Sequence, residues 1–152
     1  MGNIFNPDFQ EFLLALNKND VKYVLVGGYS VIYYGFPRTT GDIDIFVEVS
    51  KSNYDKIVQA FEQFQMPLYD MTEDSFLHIP HINVYTFGRP PVCIEILKEI
   101  SGFTFDEIYR NAITTDFEEI PMKVIHINDL KRNKKISGRA KDLNDLENLS
   151  KL

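Results

Sequence analysis

Residues 23 to 49 read YVLVGGYSVIYYGFPRTTGDIDIFVEV, and this run limits the fold more than any other part of the chain. An apolar strand, KYVLV, meets two glycines, Gly27 and Gly28, and the acidic pair Asp42 and Asp44 opens the next apolar run, DIDIFVEV. Neither choice favours folding by itself. Glycine costs backbone entropy, and residues two apart on a strand share a face, so the two carboxylates project together while Ile43 and Ile45 point into the core. The order predicts a short buried strand, a helix from Gly28 to Tyr34 with Gly35 at its end and Pro37 just beyond, and then a second strand.

The rest of the chain continues the α/β alternation without repeats. Asn6 followed by Pro7 reads as a cap and first-turn proline, with Phe9, Phe12, Leu13 and Leu16 as one apolar stripe. Ser50 caps a third helix with Tyr54, Ile57, Val58, Phe61 and Phe64 at helical spacing. HINVYTF and VCIEILKEI, split by Gly-Arg-Pro-Pro, read as a hairpin, TFDEIYRNAI as a helix and MKVIHI as a strand. A basic helix near 128 to 136 and a last helix from about Arg139 close the chain, with Leu143, Leu146 and Leu149 as its core stripe. Residues 67 to 80 give no clear pattern. The 152 residues and 44% apolar composition fit one domain. The fold class expected is α/β (α+β): a mixed, mostly antiparallel sheet with helices packed on it. The absence of an 18-residue apolar run or signal-peptide pattern predicts a cytoplasmic protein with no membrane partner, and position 6 is Asn where N-myristoylation wants Ser or Thr. The single cysteine, Cys93, sits in an apolar run and reads as a buried, reduced residue.

Two carboxylates held side by side are unfavourable unless a cation lies between them or one is protonated. Hard oxygen donors suit Mg²⁺ or Mn²⁺, and glycine N–H groups at a helix start attract phosphate oxygens. Together they point to a nucleoside triphosphate with its metal. Each half alone has a bland reading, a tight turn or a polar strand end. The net charge of −6 argues against a broad nucleic-acid grip. One local basic run stands out, with Lys131, Arg132, Lys134, Lys135, Arg139 and Lys141 inside eleven residues. Most such runs are solvated helix faces. His78 and His81 straddle a proline and lack further ligands, and His126 reads as a satisfied strand residue. Tyr29, Tyr33 and Tyr34 read first as packing, with base stacking as the alternative.

The series Gly27-Gly28, Gly35, Arg38, Thr40 and Asp42-Ile43-Asp44-Ile45 resembles the nucleotidyltransferase superfamily with the DNA polymerase β-like fold. Within it the chain is similar to the AbiEii-toxin-like and small stand-alone bacterial domains. LKRNKKISGRAKDLNDLENL resembles their closing pattern through Leu130, Lys134, Gly138, Arg139, Asp142, Asp145 and Leu146. The resemblance implies Glu95 as a third metal carboxylate, where relatives commonly carry Asp, and Gly28 where many carry Ser, with Ser30 as a substitute. Asp42, Asp44 and Glu95 would bind Mg²⁺ or Mn²⁺. Gly27, Gly28, Ser30, Arg38, Thr40, Lys134 and Arg139 would bind the nucleotide. A triphosphate near −4 with three carboxylates carries about −7, of which two divalent ions offset about 4, so cations are needed; Lys134 and Arg38 are the candidates. Arg38 reads equally as a salt bridge to Asp42 or Asp44. Asp142 orients Lys134 or Arg139, caps the final helix, or assists proton removal, with structural support the preferred role.

The reaction implied moves a nucleoside monophosphate from a triphosphate to a hydroxyl of RNA, protein or a small molecule, as part of a toxin–antitoxin pair with a partner toxin or antitoxin protein. The alternatives are a catalytically weak nucleotide-binding antitoxin or regulator, and a protein-interaction domain whose acidic pair is only a strand end.

Overall fold

Helix α1 (Pro7–Lys18) buries Phe9, Phe12, Leu13 and Leu16 along one stripe, as their spacing requires. The computed structural model describes residues 7–89 and 91–151, so the cap assigned to Asn6 lies outside the described residues. Strand β1 (Tyr23–Val26) is buried throughout and passes directly into α2 (Gly27–Tyr33). Strand β2 (Asp42–Val47) follows, then α3 (Lys51–Phe64), capped by Ser50 Oγ accepting from the Asn53 amide at 3.1 Å. The segment that gave no pattern contains α4 (Glu73–His78), capped by Thr72. A hairpin of β3 (Val84–Arg89) and β4 (Val92–Leu97) leads to α5 (Phe105–Asn111), which opens with a Thr104–Glu107 capping box. The chain closes with β5 (Ile113–Phe117), β6 (Ile120–Val124), α6 (Ile127–Ser137) and α7 (Ala140–Leu149).

The six strands form one sheet in the order β3-β4-β2-β1-β6-β5. The pairs β1–β2, β3–β4 and β5–β6 are antiparallel, while β1–β6 and β2–β4 are parallel, giving the mixed sheet that was expected. Ile43, Ile45, Ile94, Ile96 and Phe87 belong to the buried core, where Phe61 stacks edge-on against both Phe12 and Phe87. Each such side chain contributes on the order of 1.5–3 kcal/mol of burial. Phe46 lies on the sheet face of Asp42 and Asp44 and packs on Phe105, closing that face towards α5.

Four local expectations are corrected. Strand β5 was not foreseen, because Ile113 reads as the end of a helical stripe; Ala112 takes an extended backbone (ψ 144°) and turns the chain into the sheet. Gly88 and Arg89 belong to β3 rather than to the turn. His126 is not a strand residue but the cap of α6, its Nδ1 accepting from the Asn128 amide at 3.1 Å. Leu143 is 49% exposed, so only Leu149 of the expected α7 stripe is fully buried. Among the described residues no helix is long and apolar enough to cross a membrane.

Candidate active site

The sheet register assembles the acidic site. Val26, the last residue of β1, pairs with Asp44, and Asp44 pairs with Glu95 on β4. One row across three strands therefore carries the start of α2, the second aspartate of the pair and the glutamate. Adjacent strands are about 4.8 Å apart. Asp42, Asp44 and Glu95 each offer an oxygen, and these oxygens lie within 4.8 Å of one another.

The two glycines acquire a reason that the sequence left open. Gly27 sits at φ +71°, and a Cβ there would run into the Asp44 carboxylate; a Cβ on Gly28 would run into Thr40 Oγ1 and sit 3.0 Å from Arg38 Nη2. Both glycines are thus needed for close approach of the loop and β2 to the start of α2. Ser30 does not reach this space. Its side chain is fully buried and its hydroxyl donates to Gly27 O at 2.6 Å within the helix, so it is not placed to hold a phosphate.

The electrostatics of the triad are unbalanced. Burial pushes Asp44 up to about 8, assisted by the Glu95 and Asp42 carboxylates, against a smaller opposing effect of Lys141. Among the described residues Asp44 Oδ1 is buried without a hydrogen-bond partner. Among the described residues no ion pair joins a lysine or arginine to any of the three acids. A divalent cation is the group that such an all-oxygen donor set fits.

The triad opens on a cleft of about 800 Å³, also lined by Gly27, Gly28, Arg38, Thr40, Lys134, Arg139 and Asp142. The basic residues are arranged differently from the expectation. Arg38 does not pair with Asp42 or Asp44: its Nε is 3.0 Å from Asp145 Oδ1, and its Nη2 donates to Asp145 Oδ2 at 3.2 Å. Lys134 is 5% exposed, with Nζ 3.1 Å from Asp145 and 3.3 Å from Asp142. Asp142 also accepts from Ser137 Oγ and Arg139 Nε, both at 2.7 Å, and from the Arg139 amide at 3.3 Å. Burial alone would raise the Asp142 carboxyl; the Arg139 and Ser137 hydrogen bonds and the Lys134 charge outweigh it and hold it at about 2. This network ties the loop after α2 to α6 and α7, leaving Arg139 as the more exposed of the three cations.

Lys141 is the residue that sequence reasoning missed. It counted only as part of the basic run, yet it is exposed, lines the cleft in the first turn of α7 and acts electrostatically on Asp44. Its place between Arg139 and Asp142 was the available signal. Tyr29 and Tyr33 of α2 and Tyr34, its C-cap, each have a partner within the fold. Tyr29 is buried edge-on against Phe9, and Tyr34 donates to Ile125 O at 2.6 Å.

No family model matches the sequence, and neither does any curated protein. Solved structures do. The chain is similar to the lincosamide antibiotic adenylyltransferase LnuA in its lincomycin-bound crystal structure, with a TM-score of 0.63 over 98% of each chain at 17% identity. It is also similar to an antigenic nucleotidyltransferase-like protein from Paracoccidioides brasiliensis, with a TM-score of 0.55 over 93% of this chain and 74% of that one at 15% identity. At such identities the likeness is one of backbone architecture, and the mixed sheet with its surrounding helices is the fold that nucleotidyltransferases use.

Proposed function

We propose that the protein is a single-domain, divalent-metal-dependent nucleotidyltransferase that moves a nucleoside monophosphate from a nucleoside triphosphate to an acceptor hydroxyl. The observation that carries this reading is the convergence of Asp42, Asp44 and Glu95, remote in sequence, within one ion's reach and beside a basic cleft wall. Nucleotidyltransferase-fold neighbours support it. Glu95 in place of Asp is accommodated by the register, because its strand already sets it beside Asp44.

Asp42, Asp44 and Glu95 would hold Mg²⁺ or Mn²⁺, which when bound supplies Lewis-acid stabilisation of phosphoryl charge and a more acidic hydroxyl. Lys141 and Arg139 line the cleft, and in this reading they meet the phosphate oxygens. Thr40 and the Gly27-Gly28 start of α2 line the wall next to them. Lys134, Asp142 and Asp145 keep Arg38 and the α6–α7 pair in place. In the transfer, the acceptor oxygen forms a bond to the α-phosphorus and the bond to the bridging oxygen breaks, so pyrophosphate leaves with that electron pair. The hydroxyl proton passes to a triad carboxylate and on to water.

A cytoplasmic setting fits the buried free thiol of Cys93. An AbiEii-like affiliation, with a toxin–antitoxin partner, rests on the C-terminal Gly138-Arg139…Asp142…Asp145 pattern. Incubation with α-³²P-labelled triphosphates, Mg²⁺ and separated RNA, protein and small-molecule fractions tests the reaction. Label enters one fraction with the wild type, and Asp44→Asn lowers its rate about 100-fold or more. Label in RNA or protein identifies a macromolecular acceptor; binding of triphosphate without transfer favours the regulatory alternative.

A further inference from the structure

The sheet carries a second concavity at the end away from the acids. Strand β1 meets Asp44 at Val26, whereas its other end, at Tyr23, opens on a cavity of about 410 Å³ that shares no lining residue with the triad cleft. Lys22 before β1, Lys56 on α3 and Lys123 on β6 line it, and Asp20 is the one acid among the described lining residues. In a chain of net charge −6 this is a local excess of the opposite sign. Three ammonium groups around one cavity repel one another unless an anion comes between them. The fold supplies little of that charge. Lys22 has Glu48 at 3.5 Å, a partly solvated pair of the kind that contributes little. Lys56 and Lys123 form no ion pair among the described residues. Lys123 instead holds its Nζ 3.9 Å from the centre of the Tyr109 ring, which positions the ammonium without neutralising it. Tyr109 is itself stacked on Phe105, with ring centres 5.2 Å apart.

We infer that this cavity is a second binding site, and that it takes the phosphoryl group of a small molecule between Lys22, Lys56 and Lys123. The choice of cation points to phosphate. A guanidinium fork matches the planar edge of a carboxylate, whereas an ammonium is a compact point charge that suits a tetrahedral group, and the basic residues lining this cavity are all lysines. A phosphate monoester carries about −1.5 to −2 near neutral pH, which matches three lysines set against one aspartate. Thr114 stands opposite Lys123 in the β5–β6 pair, so the two share a face and the threonine hydroxyl is a further donor beside the ammonium. Pro121, exposed on the same wall, gives the organic part of a ligand an apolar rest. The site is independent of the triad. Tyr23 and Val26 lie about 10 Å apart along β1, three strand residues, and no metal ligand is needed to bind an anion here.

The test is calorimetric titration of the full chain, in metal-free buffer, with phenyl phosphate, inorganic phosphate and benzoate. Both phosphates are expected to bind saturably at millimolar concentration or below, phenyl phosphate about tenfold or more tighter than benzoate, with affinity falling as salt rises. Phenyl phosphate binding tighter than inorganic phosphate assigns a phosphorylated organic ligand; equal or weaker binding assigns the free ion. The double variant Lys56→Gln, Lys123→Gln should weaken phenyl phosphate about tenfold or more, while Lys141→Gln in the triad cleft leaves its affinity unchanged. Asp20→Asn works in the other direction. Asp20 lies at φ +55°, a conformation that Asn also adopts, so removing its charge should tighten phenyl phosphate about two- to threefold, a gain that misfolding cannot produce. The inference is overturned by no saturable binding of either phosphate, by benzoate bound as tightly as phenyl phosphate, by indifference to the lysine double variant, by loss of binding in Lys141→Gln, or by weaker binding in Asp20→Asn.

Discussion

Asp44 is the acid of the triad that burial disfavours in its charged form. Its carboxyl is raised to about 8 by burial and by its acidic neighbours, so the metal-free protein folds most favourably with that carboxyl protonated. The sign follows from proton linkage. At pH values between the usual carboxylate range and about 8, the folded chain holds a proton that the unfolded chain has released, so stability falls as pH rises and levels off above about 8. Thermal melting in EDTA should show this decline, Asp44→Asn should remove that part of it, and Mg²⁺ should offset it by taking the proton's place. A wild-type Tm that rises steadily from pH 5 to 8 in EDTA would contradict the assignment. Gly27 makes a second residue-scale prediction. Gly27→Ala adds a Cβ at φ +71° against the Asp44 carboxylate, and should cost about 1–3 kcal/mol by chemical denaturation and abolish metal binding.

At the scale of elements, α6 and α7 are clamped by buried charges rather than by apolar packing alone. Lys134 lies between Asp142 and Asp145, and Asp145 also receives Arg38 from the loop before β2. Replacing Lys134 with Met leaves two buried carboxylates facing each other without their shared cation, and should destabilise the fold by about 3–5 kcal/mol in urea denaturation. Unchanged stability with lost transfer would instead make Lys134 a direct phosphate ligand. Asp142 gives the acid limb of the same network. Its carboxyl is held at about 2, so its contribution is complete above the usual carboxylate range and is lost as pH falls through about 2. Asp142→Asn should flatten that acid limb of the stability curve.

For the whole molecule, the strand–glycine–helix–strand unit and the acidic pair were legible because they depend on local periodicity, which one stretch of sequence contains. The placement of Glu95 beside Asp44 was foreseen from the alternation in VCIEIL together with a family resemblance; the register that achieves it, a parallel β2–β4 pair, is a long-range property with no local signature. Strand β5 was hidden because Ile113 suits either a helix stripe or a strand, and only pairing with β6 decides. Arg38 and Lys134 were readable as cations near the site, but their partner Asp145 lies 107 residues from Arg38, so their engagement with it was not. Lys141 went unnoticed for the complementary reason: it lines the cleft with no ion-pair partner among the described residues, which sequence cannot display. The most direct test of the account is a crystal structure with Mn²⁺ and a non-hydrolysable triphosphate, read by anomalous scattering. An anomalous peak bounded by Asp42, Asp44 and Glu95, with the phosphates turned towards Lys141 and Arg139, is the predicted result; a nucleotide-bound crystal with no ion at that triad would contradict it.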